Sequence, residues 1–244
     1  MNFKLGKLPK KLDSRNLRLA TYIPETAVKP PAVDWSTAVG KWPLYQNDKV
    51  GDCTIAAAAH LLGLWSLNVG TGFEIYDEEV LRAYSAVSGY KSSRPETDTG
   101  AAMLDVLKYW RRIGIGGHRI LAFAEINPRS RWEVQMALWL FGGIYAGFSL
   151  PKCVLGQYIW NTPSRTEDAT LWGGHSVSIV QGDALGRTCV TWGGKQEMTN
   201  IFFEKYCDEA YAVISSEWVS GVGLSPAGFS LAVMLDDLMR IARR

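Results

Sequence analysis

Cysteine and histidine are the side chains of this 244-residue chain best suited to covalent amide chemistry, and there are four of one and three of the other. Cys53 stands apart by position. It follows the polar run "YQNDKVGD" and opens the alanine-rich stretch "CTIAAAAHLL", so it falls at the start of a helix read over 53–67, with Asp52 as its N-cap. Unsatisfied backbone N–H groups and the helix dipole stabilise a thiolate there, and the same N–H groups can receive the oxyanion of a tetrahedral intermediate. A small buried cysteine entering a core is the competing reading. A nucleophile also needs a base. His60, seven residues on, lies two turns away, or ~10 Å at the standard rise, too far for a nucleophile–base hydrogen bond. His118, in "GIGGHRIL", reads as a surface-loop residue. His175 opens the alternating run "HSVSIV" behind two glycines that permit close backbone approach, and by elimination it is the best base.

The elements that must position these residues change character along the chain. Residues 1–44 carry prolines and little periodicity and read as an extended strap. Helices are expected at 53–67, at 76–88 and in "DTGAAMLDVLKYWRRIGI", where Met103, Leu107, Trp110 and Ile113 form one apolar stripe. After about residue 115 come the short β-rich runs "GGIYAGFSL", "GGHSVSIVQG", "RTCVTWGG" and "EAYAVISS", separated by glycine turns. Helices first and strands later argue for an α+β fold with two lobes. The reading is thus a strap (1–44), a helical lobe (45–115), a β-rich lobe (116–215) and an amphipathic helical extension (216–244), within one compact unit.

Composition narrows the partners. A formal net charge of +2 gives no reason to expect nucleic acid. The longest apolar run, "MALWLFGGIYAGF", is too short to span a bilayer, and no secretory leader is visible, so a cytoplasmic protein is expected. The absence of a CxxC pair argues against a metal cage, and no cofactor is implied.

Taken in order, these segments resemble the papain-like cysteine peptidases. "PPAVDWSTAVGKWPLYQNDKVGDCTIAAAA" is similar to the start of the bacterial branch, which carries a strap "LG-x-x-P…D-x-R", here Leu5-Gly6, Pro9, Asp13 and Arg15, and then "VD", here Val33-Asp34. "DTGAAMLDVLKYWRRIGI" resembles the family's "D-x-G" helix, "WEVQMALWLFGGIYAGFSL" the entry to the β lobe, and "GGHSVSIVQGD…CVTWGG" the histidine strand and the "N-S-W-G" strand. The resemblance, from about 5 to 215, implies a papain-like two-lobed fold with an interlobe cleft for a peptide or protein. It implies a Cys53 nucleophile, a His175 base, and an oxyanion hole served by Asn47 or Gln46. It places Trp192 as the shield over the imidazole and puts Val190, which cannot hydrogen-bond, where the family has an orienting asparagine. Thr191 is polar, but strand alternation is expected to turn it away from His175. Two functions follow: a cysteine hydrolase, peptidase or amidase; or a catalytically impaired papain-fold protein serving as a binding or structural component, virion-associated if of phage origin.

Overall fold

In the computed structural model, which describes residues 3–24, 26–164 and 169–219, the alanine-rich run folds as helix α1, Cys53–Asn68. Thirteen of its 16 residues are buried, which is why the run shows no polar face: it is the central helix, covered on all sides. Helix α2 (Asp77–Ser88) begins with three acidic residues that suit the positive end of its dipole. It ends at Gly89 in a left-handed turn. Helix α3 (Met103–Arg112) buries Met103, Leu107 and Trp110 as the stripe requires. The stripe stops one residue short of its expected end. Ile113 caps the helix and is 53% exposed, because the chain turns away at Gly114 with φ +104°.

The β-rich part forms one nine-stranded sheet. Its strands are β1 (Leu17–Arg18), β2 (Val33–Asp34), β3 (Ile120–Ile126), β4 (Ile144–Pro151), β5 (Ile159–Trp160), β6 (Leu171–Gly182), β7 (Gly186–Thr191), β8 (Gly194–Thr199) and β9 (Cys207–Ser215). The order is β1-β3-β9-β4-β6-β7-β8-β5, with β2 added to β6. Two helices lie within this half: α4 (Arg131–Phe141), capped by the Ser130 hydroxyl accepting from Glu133 N–H, and α5 (Asn200–Tyr206). The strap is built into the sheet at two points, β1 running parallel to β3 and β2 antiparallel to β6.

Helix α1 packs on β6, and two buried hydrogen bonds fix its height. Ser178 Oγ donates to the Ala57 carbonyl (2.6 Å) and Tyr145 OH to the Thr54 carbonyl (2.7 Å). Apolar side chains form two cores. One surrounds Trp65, Tyr84 and Trp110 among α1–α3; the other surrounds Phe148, Trp160 and Phe202 on the far side of the sheet. No helix among the described residues is long and apolar enough to cross a membrane. The amphipathic helix read over 216–244 lies, from residue 220 on, outside the described residues.

One glycine anchors the join between α4 and β4. Gly142 has φ +65°, and a Cβ there would stand 2.7 Å from the ring of Trp218, which is buried and donates its Nε1–H to the Leu140 carbonyl. Gly142→Ala therefore combines left-handed strain with overpacking and should cost about 2–4 kcal/mol. Urea denaturation should show a lower midpoint with an unchanged slope.

Candidate active site

Cys53 is the first residue of α1 and is 1% exposed. The loop before it folds tightly, with Tyr45 and Gln46 both left-handed (φ +54° and +64°). Asp52 stands at the N-cap position, but its side chain does not cap. Its Oδ1 accepts instead from Asn47 Nδ2 (3.0 Å), and Oδ2 has no hydrogen-bond partner among the described residues. Burial pushes the Asp52 carboxyl well above its ordinary range. Burial likewise pushes the Cys53 thiol up to about 12, against the opposing pull of backbone hydrogen bonds from Ser176 and Gly6.

His175 lies on β6 and is fully buried. Burial pulls its imidazole down to about 3, so the ring is neutral. Its Nε2 is 2.6 Å from Thr191 Oγ1, and the indole of Trp192 stacks on the ring at 4.3 Å and 17°. Thr191 thus faces His175, contrary to the expectation from simple alternation. The reason is the β6–β7 register. Val190 pairs with Ser178, so it shares the face of Ser176 and Ser178, while Thr191 falls on the face of Val177 and His175. Trp192 escapes that alternation because it sits in the turn to β8 with φ +46°. Nδ1 of His175 has no hydrogen-bond partner among the described residues, so imidazole and thiol are not bonded to each other in this structure.

The two amides expected at the oxyanion position are both engaged. Asn47 Nδ2 donates to the Val50 carbonyl (3.1 Å) as well as to Asp52, bracing the loop, although Asn47 still lines a small cavity with Cys53, Ser176 and Thr191. Gln46 Nε2 donates to Asp77 Oδ2 (2.9 Å) and lines a surface cleft. That cleft holds about 1030 Å³ and is lined by Trp42, Tyr45, Gln46, Phe73, Asp77 and Trp192 among others. His60 is a buried structural residue, its Nε2–H donating to the Pro43 carbonyl (2.7 Å) between Trp42 and Tyr45. Half-buried His118 pairs with Glu217 (2.8 Å) and stacks on Phe73.

What sequence reasoning did not place is the path of residues 3–8. They run past the start of α1 at Cys53 and past Gly174, the residue before His175. Phe3 stacks on Trp192 (4.3 Å), Lys4 N–H donates to the Asn47 carbonyl, and Lys7 N–H donates to the carbonyl of Gly174, the residue before His175. Ala101 N–H donates to the Gly6 carbonyl, and Leu8 N–H donates to the Ala101 carbonyl. The two "L-G" and "G-G-H" glycine sites were the available signal. A Cβ on Gly6 would lie 1.7 Å from the Gly51 carbonyl oxygen, and one on Gly174 would lie 2.1 Å from that of Lys7.

A helix-led half carrying a cysteine at a helix start, against a sheet carrying the histidine, is the papain-like α+β fold. Solved structures that it resembles include cysteine proteases. Xylellain from Xylella fastidiosa matches with a TM-score of 0.70 at 16% identity, over 88% of this chain and 97% of that one. Procathepsin B S9 from Trypanosoma congolense matches at 0.62 and 12%, over 87% and 86%. The cysteine protease CMS1MS2 from Carica candamarcensis matches at 0.55 and 13%, over 76% and 99%. No family model matches the chain, and no curated protein matches it in sequence.

Proposed function

We propose that this protein is a cysteine hydrolase of peptide-type amide bonds, a member of the bacterial branch of the papain-like peptidases, held silent by its own N-terminal strap. The observation that carries the reading is the pairing of Thr191 and Trp192 on His175. They fix one ring nitrogen and one ring face and leave Nδ1 free, in the fold that places Cys53 at a helix start. Once a substrate replaces the strap, Cys53 attacks the carbonyl carbon while His175 takes the thiol proton. His175 then gives that proton to the leaving amine, and water hydrolyses the thioester. The Cys53 backbone N–H receives the oxyanion, joined by Asn47 or Gln46 after either amide turns from its resting partner. The substrate is a peptide or protein segment lying along the interlobe cleft.

A second reading, a binding or structural protein on the same fold, draws on the neutral and unbonded resting pair. Iodoacetamide labelling at neutral pH separates the two, using Gly6→Ala, whose added methyl has no room under the strap, alone and combined with Cys53→Ala or His175→Ala. The hydrolase requires Cys53 to label faster than an ordinary exposed thiol, and loss of His175 should slow it about 100-fold. Equal rates with and without His175 would leave the binding reading in its place.

A further inference from the structure

The surface cleft of about 1030 Å³ is lined by neither Cys53 nor His175. Helix α1 contributes His60, Gly63 and Leu67 to it, which start seven residues past Cys53, or ~10 Å along the helix, and run outward. Its walls are aromatic, with Trp42, Tyr45, Phe73 and the 59% exposed Tyr76 among them. Four carboxylates line it as well: Asp48 from the loop before Cys53, and Glu74, Asp77 and Glu78 from the connection into α2. Two cations, Lys41 and Lys49, stand against them. None of these six charged side chains forms an ion pair among the described residues. The dipole of α2 accounts for Asp77 and Glu78 in its first turn, but not for Glu74 ahead of the helix or for Asp48 from a separate loop.

The carboxylates act on the aromatic wall together. Burial first, and then the charges of Asp77, Glu74 and Glu79, push the Tyr45 hydroxyl above its ordinary range. A negative field over aromatic faces selects a cation. It does not select a metal ion: among the described residues no three acidic, histidine or cysteine side chains stand close enough together to hold one. The charges are spread along the cleft instead, and the space between them suits a small organic molecule. A ligand carrying several separated positive charges on an apolar chain meets both features at once. We propose that this cleft binds a linear polyamine, its ammonium groups on Asp48, Glu74, Asp77 and Glu78 and its methylene chain along the aromatic walls. Asp77 Oδ2 is also the acceptor of the Gln46 amide, so an ammonium there competes with that hydrogen bond. The binding is independent of the hydrolase reading.

Isothermal titration of the full chain with spermidine, at fixed ionic strength, tests the site. Spermidine should bind saturably and at least tenfold more tightly than n-butylamine, which offers one charge, with 1,4-diaminobutane between them. Asp48→Asn combined with Asp77→Asn keeps an oxygen for Gln46 but removes two charges, and should weaken spermidine at least tenfold. Lys41→Gln combined with Lys49→Gln should tighten it severalfold, a gain that a misfolded chain cannot produce. That second pair decides alone if the aspartate variant does not fold. Equal affinity for spermidine and n-butylamine overturns the proposal, as does displacement of spermidine by an equal concentration of magnesium ion, which would reduce the effect to screening of surface charge. Parent affinity in both double variants overturns it too.

Discussion

Gly6→Ala is expected to raise the reactivity of Cys53 at neutral pH at least tenfold. The added methyl would meet the Gly51 carbonyl oxygen at 1.7 Å and its carbon at 2.3 Å. Neither atom can yield, because Gly51 N–H is clamped by both oxygens of Asp98 (3.0 and 3.1 Å) in the loop that carries Cys53. The strap must lift instead. The gain follows from the thiol's protonation. A group pushed up to about 12 is protonated at pH 7.5 and becomes the reactive thiolate only as pH climbs toward that value. An ordinary thiol near 8.5 carries roughly a thousand-fold more thiolate at the same pH. Water entering with the strap displaced recovers part of that factor, so the labelling–pH curve should shift to lower pH. Gly174→Ala attacks the same contact from the opposite wall, 2.1 Å from the Lys7 carbonyl oxygen, and should move the curve the same way. A folded Gly6→Ala that labels at the wild-type rate would show that the strap does not silence the thiol.

Which parts of this arrangement were legible follows from the range of the interactions. The start of α1 at Cys53 was readable because a polar turn followed by an uninterrupted helix-forming run is a local signal. The histidine strand was readable for the same reason, and the order of the segments led to the papain-like fold. Cross-strand register is not local. Sequence alternation places Val190 and Trp192 on one face, but only the pairing of Val190 with Ser178 decides that this face is not that of His175. The left-handed φ of Trp192 then returns the indole to the imidazole, and nothing about a tryptophan before two glycines announces it. Lys7 stands in the strap with nothing in the local sequence to mark it as buried. Its partners lie about 200 positions away, and no pattern along the chain links a strap lysine to Asp208 and Glu209. Asn47 illustrates a third limit: the sequence shows the amide in the loop before Cys53, but not that Val50 and Asp52 take up its hydrogen bonds.

The substitution that should cost most activity for least structure is Thr191→Val in the Gly6→Ala background. For Nδ1 to accept the Cys53 proton, the neutral ring must carry its hydrogen on Nε2, and Thr191 Oγ1, 2.6 Å away, is placed to accept it. Valine keeps the shape and removes the acceptor. The ring then either buries an unpaired N–H, at about 1–3 kcal/mol, or turns over to the tautomer whose Nδ1 cannot take a proton. Peptide turnover should fall by roughly tenfold to a hundredfold, in kcat rather than KM, because Thr191 touches the base and not the substrate. Thr191→Ser keeps the oxygen and should stay within severalfold of the parent, which separates loss of the hydrogen bond from disturbance of β7. The pH profile gives a readout that packing alone would not move. The Nε2–H···Oγ1 bond strengthens when the ring is charged, so losing it should depress the histidine pKa further and shift the acid limb of kcat/KM downward. Equal turnover and an unmoved acid limb in Thr191→Val would mean that Trp192 alone positions the base, through the stacking that holds the ring plane whichever nitrogen carries the proton.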